Sequence, residues 1–316
     1  MFMGTPDFAV GVLDAIHKAG VQVVGVVTAP DKPAGRGKKL RASAVKEYTL
    51  ANLECPLLQP EKLKAPEVAE ELRALEADIF IVVAFRMLPE VVWSIPSMGT
   101  INLHASLLPQ YRGAAPINWA VINGETETGV TSFLIDKEID TGKVLLQEKV
   151  AISNTDSAGT LHDKLMDTGA ALIVRTIQER INNTIEAVAQ EELSIPEAEL
   201  KKAPKIFKDD CRIDWNKSGA EIYNLVRGMS PFPTAFTMLQ QEGKEDIQVK
   251  LFEGKFEAAE HTLEIGRLVS EAKNELKVAI KDGYYHIKSL QLAGKKRMAS
   301  GDFLRGFQDI SMCIVS

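Results

Sequence analysis

No run of about 18 apolar residues occurs in the 316-residue chain, which argues against a transmembrane helix. The opening MFMGTPDF has no basic segment followed by an apolar one, so no secretory signal is expected. Cysteine is scarce. Cys55, Cys211 and Cys313 lie far apart, are odd in number and lack metal-ligand spacing, which points to free thiols in a reducing cytoplasm. No cluster of His, Cys and carboxylates has metal spacing, and no metal is expected. The absence of a G-x-S-x-G elbow argues against a serine hydrolase. Gly35 and Gly37 form a G-x-G without the third glycine of a dinucleotide fingerprint, and Lys38 is followed by Lys39 rather than Ser or Thr, so there is no P-loop.

Hydrophobic residues make up 45% of the chain and charged residues 25%, an ordinary globular balance, and the length fits one large or two modest domains. The first half alternates strand and helix patterns. Continuous apolar runs at Val21–Thr28 and Asp78–Phe85 predict strands buried on both faces of a parallel sheet. Gly99–Ser106, Gly129–Asp136 and Lys143–Val150 predict further strands. Helical spacing falls at Asp7–Ala19, Glu61–Leu75, Ala115–Asn123 and Ser157–Asn182, the last with Asp156 or Ser157 as its cap. This alternation predicts an α/β domain with a mainly parallel sheet over 1–189, whose ligands sit at the carboxyl ends of the strands. Residues 190–208 are polar, carry prolines and lack periodicity, so they read as a linker. Residues 209–316 open with an amphipathic stretch, Ser218–Met229. Short strands in series follow, and they predict a small antiparallel barrel.

The net charge is -6, which argues against a general nucleic-acid binder. The charge is uneven. Residues 201–316 hold 19 Lys and Arg against 16 Asp and Glu, whereas residues 1–200 hold 18 against 27. Within the acidic part, Thr28–Ser43 is a basic loop with Lys32, Arg36, Lys38, Lys39 and Arg41 against Asp31 alone. Such loops are usually just solvated.

The densest polar constellation is Asn102, His104, Ser106 and Asp140. Asn102 and His104 are two apart at a strand end, so they project from one side. A histidine moves protons near neutral pH, and a carboxylate beside it fixes its tautomer. An asparagine amide donates to an oxygen gaining negative charge. On spacing alone, a His and an Asn at a strand end are more often loop hydrogen-bonders than catalysts, so both readings stand.

The segments FMGTPDFA, TAPDKPAGRGKKL, VVAFRMLP, INLHASLLPQYRGAAPINWAVINGETETGVT, EIDTG, RIDW and QLAGKKRM, in this order, resemble the folate-dependent formyltransferases over nearly the whole chain. The basic insertion and the RIDW-plus-barrel tail are similar to the tRNA-directed branch. The resemblance implies a Rossmann-like formyltransferase domain followed by an OB-like barrel that binds tRNA. It implies transfer of formyl from 10-formyltetrahydrofolate to the α-amine of methionine on initiator tRNA, with no metal, by a cytoplasmic monomer. Matched by motif, Asn102, His104 and Asp140 are the catalytic trio. Ser106, Leu107, Leu108 and Pro109 border the folate, and Phe85, Arg86, Met87 and Leu88 cradle its pterin through backbone groups. Arg36, with Lys38 and Lys39 beside it, faces the tRNA acceptor end, and Lys205 is a further RNA contact. Only three residues precede Gly4, so the first strand is expected to be clipped. Two alternatives stay open. One is a formyl-folate enzyme acting on a sugar nucleotide or glycinamide ribonucleotide. The other is a non-catalytic RNA-binding module, which the intact trio argues against.

Overall fold

The apolar runs of the first half become neighbouring strands of one sheet, because a segment apolar on both faces must be covered on both. The computed structural model describes residues 1–34, 39–193, 196–307 and 310–316. These fall into two units: Met1–Pro116, Glu127–Ala151 and His162–Ala203 form the first, and Ile117–Thr126, Ile152–Leu161 and Pro204–Ser316 the second.

In chain order the elements run β1 (Phe2–Gly4), α1 (Asp7–Lys18), β2 (Val26–Val27), β3 (Lys32–Ala34), β4 (Lys39–Arg41), α2 (Ala44–Asn52), β5 (Leu57–Leu58), α3 (Pro66–Ala74), β6 (Phe80–Val83) and α4 (Glu90–Trp93). They continue with β7 (Thr100–His104), β8 (Arg112–Gly113), α5 (Pro116–Ile122), β9 (Glu127–Leu134), β10 (Val144–Ala151), α6 (Ala158–Ile181) and β11 (Lys202–Ala203). The main sheet has the order β10-β9-β7-β6-β1-β2-β5. From β5 to β7 every pairing is parallel, and β9 and β10 add an antiparallel edge. The mainly parallel α/β expectation holds. All four residues of β6 are buried, and Phe80 and Ile101 are fully so. Each such side chain contributes about 1.5–3 kcal/mol by leaving water.

The run Val21–Thr28 forms ladder only at Val26–Val27. Its neighbours limit it: β1 has three residues and β5 has two. The α3 helix starts at Pro66 rather than Glu61, since a proline at the first helical turn sets the start. The α2 helix was not anticipated. Ser43 caps it by accepting from the Lys46 N–H at 3.0 Å.

The second unit holds α7 (Gly219–Gly228), started by a Ser218–Glu221 capping box. Then come β12 (Ala235–Gln241), β13 (Ile247–Ala258), β14 (Leu268–Val269), β15 (Leu276–Ile280), β16 (Gly283–Leu292), β17 (Met298–Ala299), α8 (Ser300–Gly306) and β18 (Cys313–Val315). The antiparallel order is β14-β15-β16-β13-β12-β18, with β17 on β16. A bridge from Arg267 to Ile314, with Val315 N–H donating to the Gly266 carbonyl at 2.9 Å, brings the two edges together and nearly closes the barrel. Trp215, Ile213, Leu251, Val278 and Tyr285 fill its core, together with Ile222 and Val226 of α7. Among the described residues no helix is long and apolar enough to cross a membrane. Cys55, Cys211 and Cys313 are free thiols.

Candidate functional site

The carboxyl end of β7 carries Asn102 and His104, as the two-residue spacing requires. His104 is buried, and its Nε2 lies 2.9 Å from the Tyr111 carbonyl oxygen. A carbonyl only accepts, so Nε2 carries the proton and donates it. The other ring nitrogen, Nδ1, lies 3.9 Å from Asp140 Oδ2. That is close enough for charge attraction and too long for a hydrogen bond. The same Oδ2 accepts from the Gly113 N–H at 3.0 Å. Asp140 has a left-handed backbone, φ 56°, which a non-glycine residue keeps only where its surroundings hold it. Asn102 is half-buried, and among the described residues its carboxamide has no hydrogen-bond partner.

The loop after β7 is held by one bond of its own and by side chains of β9 and β10. Ser106 Oγ donates to the Gln110 carbonyl at 2.6 Å, and Thr131 Oγ1 donates to the Ser106 carbonyl at 2.6 Å. Leu108 N–H donates to Thr131 Oγ1 at 3.1 Å, its carbonyl accepts from Gln147 Nε2 at 2.8 Å, and its side chain packs on Phe133 and Val144. Ser106, Leu108 and Pro109 are buried, so within this segment Leu107 alone is half-exposed.

At the end of β6, Ala84 takes a left-handed turn, φ 45°. Among the described residues, the backbone N–H groups of Phe85, Arg86, Met87 and Leu88 have no partner in the chain. Arg86 donates from Nη1 to the Glu61 carbonyl at 2.8 Å and from Nη2 to the Pro60 carbonyl. Burial pulls its guanidinium below the usual arginine range. Met87 is 71% exposed, whereas Leu88 is buried in the core.

Arg36 and Lys38 lie outside the described residues. Lys39 begins β4, which pairs with β3 in a hairpin that flanks them. The hairpin's base is tied down. Asp31 accepts from Lys46 Nζ at 2.7 Å and from Gln59 Nε2 at 2.8 Å, and the Lys46 ammonium and Gln59 amide hold its carboxyl below the usual range. Lys205, in the second unit, is exposed, with Nζ 5.4 Å from the Phe207 ring centroid. Among the described residues no His, Cys, Asp and Glu group has metal-binding geometry.

Sequence reading missed four partners: the Tyr111 carbonyl, the Gly113 N–H, Arg112 and Gln190. The part of 190–208 that precedes Pro204 is integral to the first unit. Its β11 pairs in parallel with β8, and Tyr111 N–H donates to the Lys201 carbonyl at 2.7 Å. A Cβ at Gly113, φ 128°, would sit 2.3 Å from the Ala203 carbonyl oxygen, so this approach requires glycine.

Two family models match the chain: "Formyl transferase" over residues 1–177 and "Formyl transferase, C-terminal domain" over residues 205–308. The chain is 54% identical over 312 residues to a methionyl-tRNA formyltransferase of Parabacteroides distasonis, covering 98% of this chain and 96% of that one. It is 52% identical over 307 residues to one of Bacteroides fragilis, covering 97% and 94%. Among solved structures, an N-formyltransferase from Helicobacter canadensis in complex with folinic acid and dTDP-3-aminofucose superposes with a TM-score of 0.60 at 21% identity, over 94% of this chain and 98% of that one. HypX from Aquifex aeolicus in complex with tetrahydrofolic acid superposes with a TM-score of 0.57 at 20% identity, over 83% and 44%. At these identities the structural likeness establishes the fold alone.

Proposed function

The chain belongs to the formyl transferase family, and from that premise we propose that Asn102, His104 and Asp140 transfer a formyl group from 10-formyltetrahydrofolate to the α-amine of methionine on initiator tRNA. The observation that carries this reading is identity above half, over nearly the full length of both chains, with relatives named for that reaction. Residues 1–189 are the catalytic domain in this reading, and 209–316 are a tRNA-binding barrel reached through 190–208. The protein works as a cytoplasmic monomer.

The folate supplies a formyl group on a nitrogen that leaves. The residues at the strand ends fit such a substrate: four backbone N–H groups at Phe85–Leu88, without partners among the described residues, suit the polar edge of a pterin, and half-exposed Leu107 offers an apolar border. Ser106, Leu108 and Pro109 shape this border from below. Asn102, whose carboxamide has no partner among the described residues, donates its amide to the formyl oxygen as that oxygen gains negative charge. His104 has Nε2 committed to the Tyr111 carbonyl, so Nδ1 is the atom that takes the proton lost by the incoming amine and passes it to the folate nitrogen as that nitrogen's bond to the formyl carbon breaks. Asp140 faces Nδ1 and stabilises the charged ring. Holding two substrates side by side supplies much of the remaining acceleration.

Arg36, Lys38 and Lys39 engage the acceptor end of the tRNA, and Lys205 adds a contact. The test uses 10-formyltetrahydrofolate labelled in its formyl group, with charged initiator tRNA. Wild-type enzyme places the label on the aminoacyl-tRNA. Arg36→Ala binds tRNA more weakly, with a salt slope lower by about 1, and binds folate as before. Unlabelled tRNA with wild type would remove the function. Equal tRNA affinity of Arg36→Ala across a salt titration would remove the loop from it.

A further inference from the structure

Gln190 begins a short 3-10 turn, Gln190–Leu193, beyond the part of the chain that carries the trio and between the stretches the two family models cover. It is only 2% exposed. Its Oε1 accepts from Arg112 Nε at 3.0 Å and Nη2 at 2.6 Å. Its Nε2 donates to the Asp140 and Gly142 carbonyls, each at 2.9 Å. A guanidinium only donates, so the amide orientation is unambiguous, and all of its hydrogen-bonding capacity is used.

Resting on the catalytic reading above, we propose that Gln190 is a positioning residue for Asp140. The turn Asp140–Gly142 also lies close against β9, since a Cβ at Gly142 would lie 1.7 Å from the Leu134 carbonyl oxygen. Gln190 clamps that turn by its two carbonyls and stabilises the left-handed backbone of Asp140. Arg112 aims Gln190, and its neighbour Gly113 grips the Asp140 carboxylate through its N–H. Arg112, Gln190, Asp140 and Gly113 are therefore linked in a closed loop of contacts that holds the residue whose carboxylate faces His104. Without the clamp, two carbonyls lose their donors and the turn is free to relax toward right-handed backbone, which swings the carboxylate away from Nδ1.

Two variants separate this role from packing. Gln190→Met fills the space with no hydrogen bonds. Gln190→Glu keeps the acceptors for Arg112 and turns an oxygen toward both carbonyls. Each is expected to lower kcat about 10- to 100-fold, as a displacement near 1 Å does, with KM for 10-formyltetrahydrofolate and charged initiator tRNA near wild type. The deficit of Gln190→Glu shrinks as pH falls, because the introduced carboxyl, once protonated, donates one hydrogen bond. In an Asp140→Ala background, Gln190→Met costs nothing further. A folded Gln190→Met enzyme with wild-type kcat, or a loss fully additive with Asp140→Ala, overturns the proposal while the site reading stands. A full-rate Asp140→Ala enzyme overturns the site reading and the proposal with it.

Discussion

His104→Ala slows formyl transfer by about 10²- to 10⁴-fold, the range in which a positioned acid–base group contributes. The ring is buried and its Nε2–H is tied to the Tyr111 carbonyl, so the side chain has one free nitrogen and one orientation. Alanine removes that nitrogen, and water does not restore the geometry. Asp140→Asn is the sharper variant. The amide oxygen can still accept from the Gly113 N–H, so the turn survives, but the charge facing Nδ1 is gone. A loss of similar order is expected, concentrated in the chemical step, with tRNA affinity near wild type, since neither residue belongs to the basic loop or the barrel. Rapid-quench single-turnover measurement reads this step alone. Near-normal single-turnover rates in either variant would sink the assignment.

Asn102→Ala costs about 10²- to 10³-fold in kcat, the usual penalty for removing one preorganised donor to a developing oxyanion. It should cost little stability, because the carboxamide holds no hydrogen bond among the described residues. Asn102→Asp keeps the size and replaces the donor with a negative acceptor, so its rate falls at least as far. The falsifying outcome is Asn102→Asp retaining turnover while the melting midpoint of Asn102→Ala drops sharply. That pattern makes Asn102 a structural residue rather than a donor to substrate.

The strands of the sheet were legible because burial on both faces leaves an apolar run, as in Phe80–Val83. Their lengths were not, because a ladder ends where its neighbour ends: Val21–Thr28 reads as one strand and pairs only at Val26–Val27. The α2 helix was hidden by the basic loop before it, although Ser43 was a usable cap signal. The barrel strands were visible, but the closing strand Cys313–Val315 was not, being three residues long. In the site, Asn102 and His104 were legible from their spacing on one strand. Asp140 was legible as a polar residue in a loop that can return to the same sheet end, and the structure brings it within 3.9 Å of Nδ1 of His104. Gln190 was illegible: it opens a polar run, and its partners lie 48, 50 and 78 residues away. The buried state of Ser106 and Leu108 was equally invisible, since it depends on Thr131 and Gln147 from other strands.

The most direct measurement offers the wild-type enzyme labelled 10-formyltetrahydrofolate and four acceptors in parallel: charged initiator tRNA, charged elongator tRNA, glycinamide ribonucleotide and a dTDP-linked amino sugar. Label moving to the amine of the charged initiator tRNA, with little or none to the two small molecules, is the predicted result. Preferential formylation of the sugar nucleotide or of glycinamide ribonucleotide would contradict it.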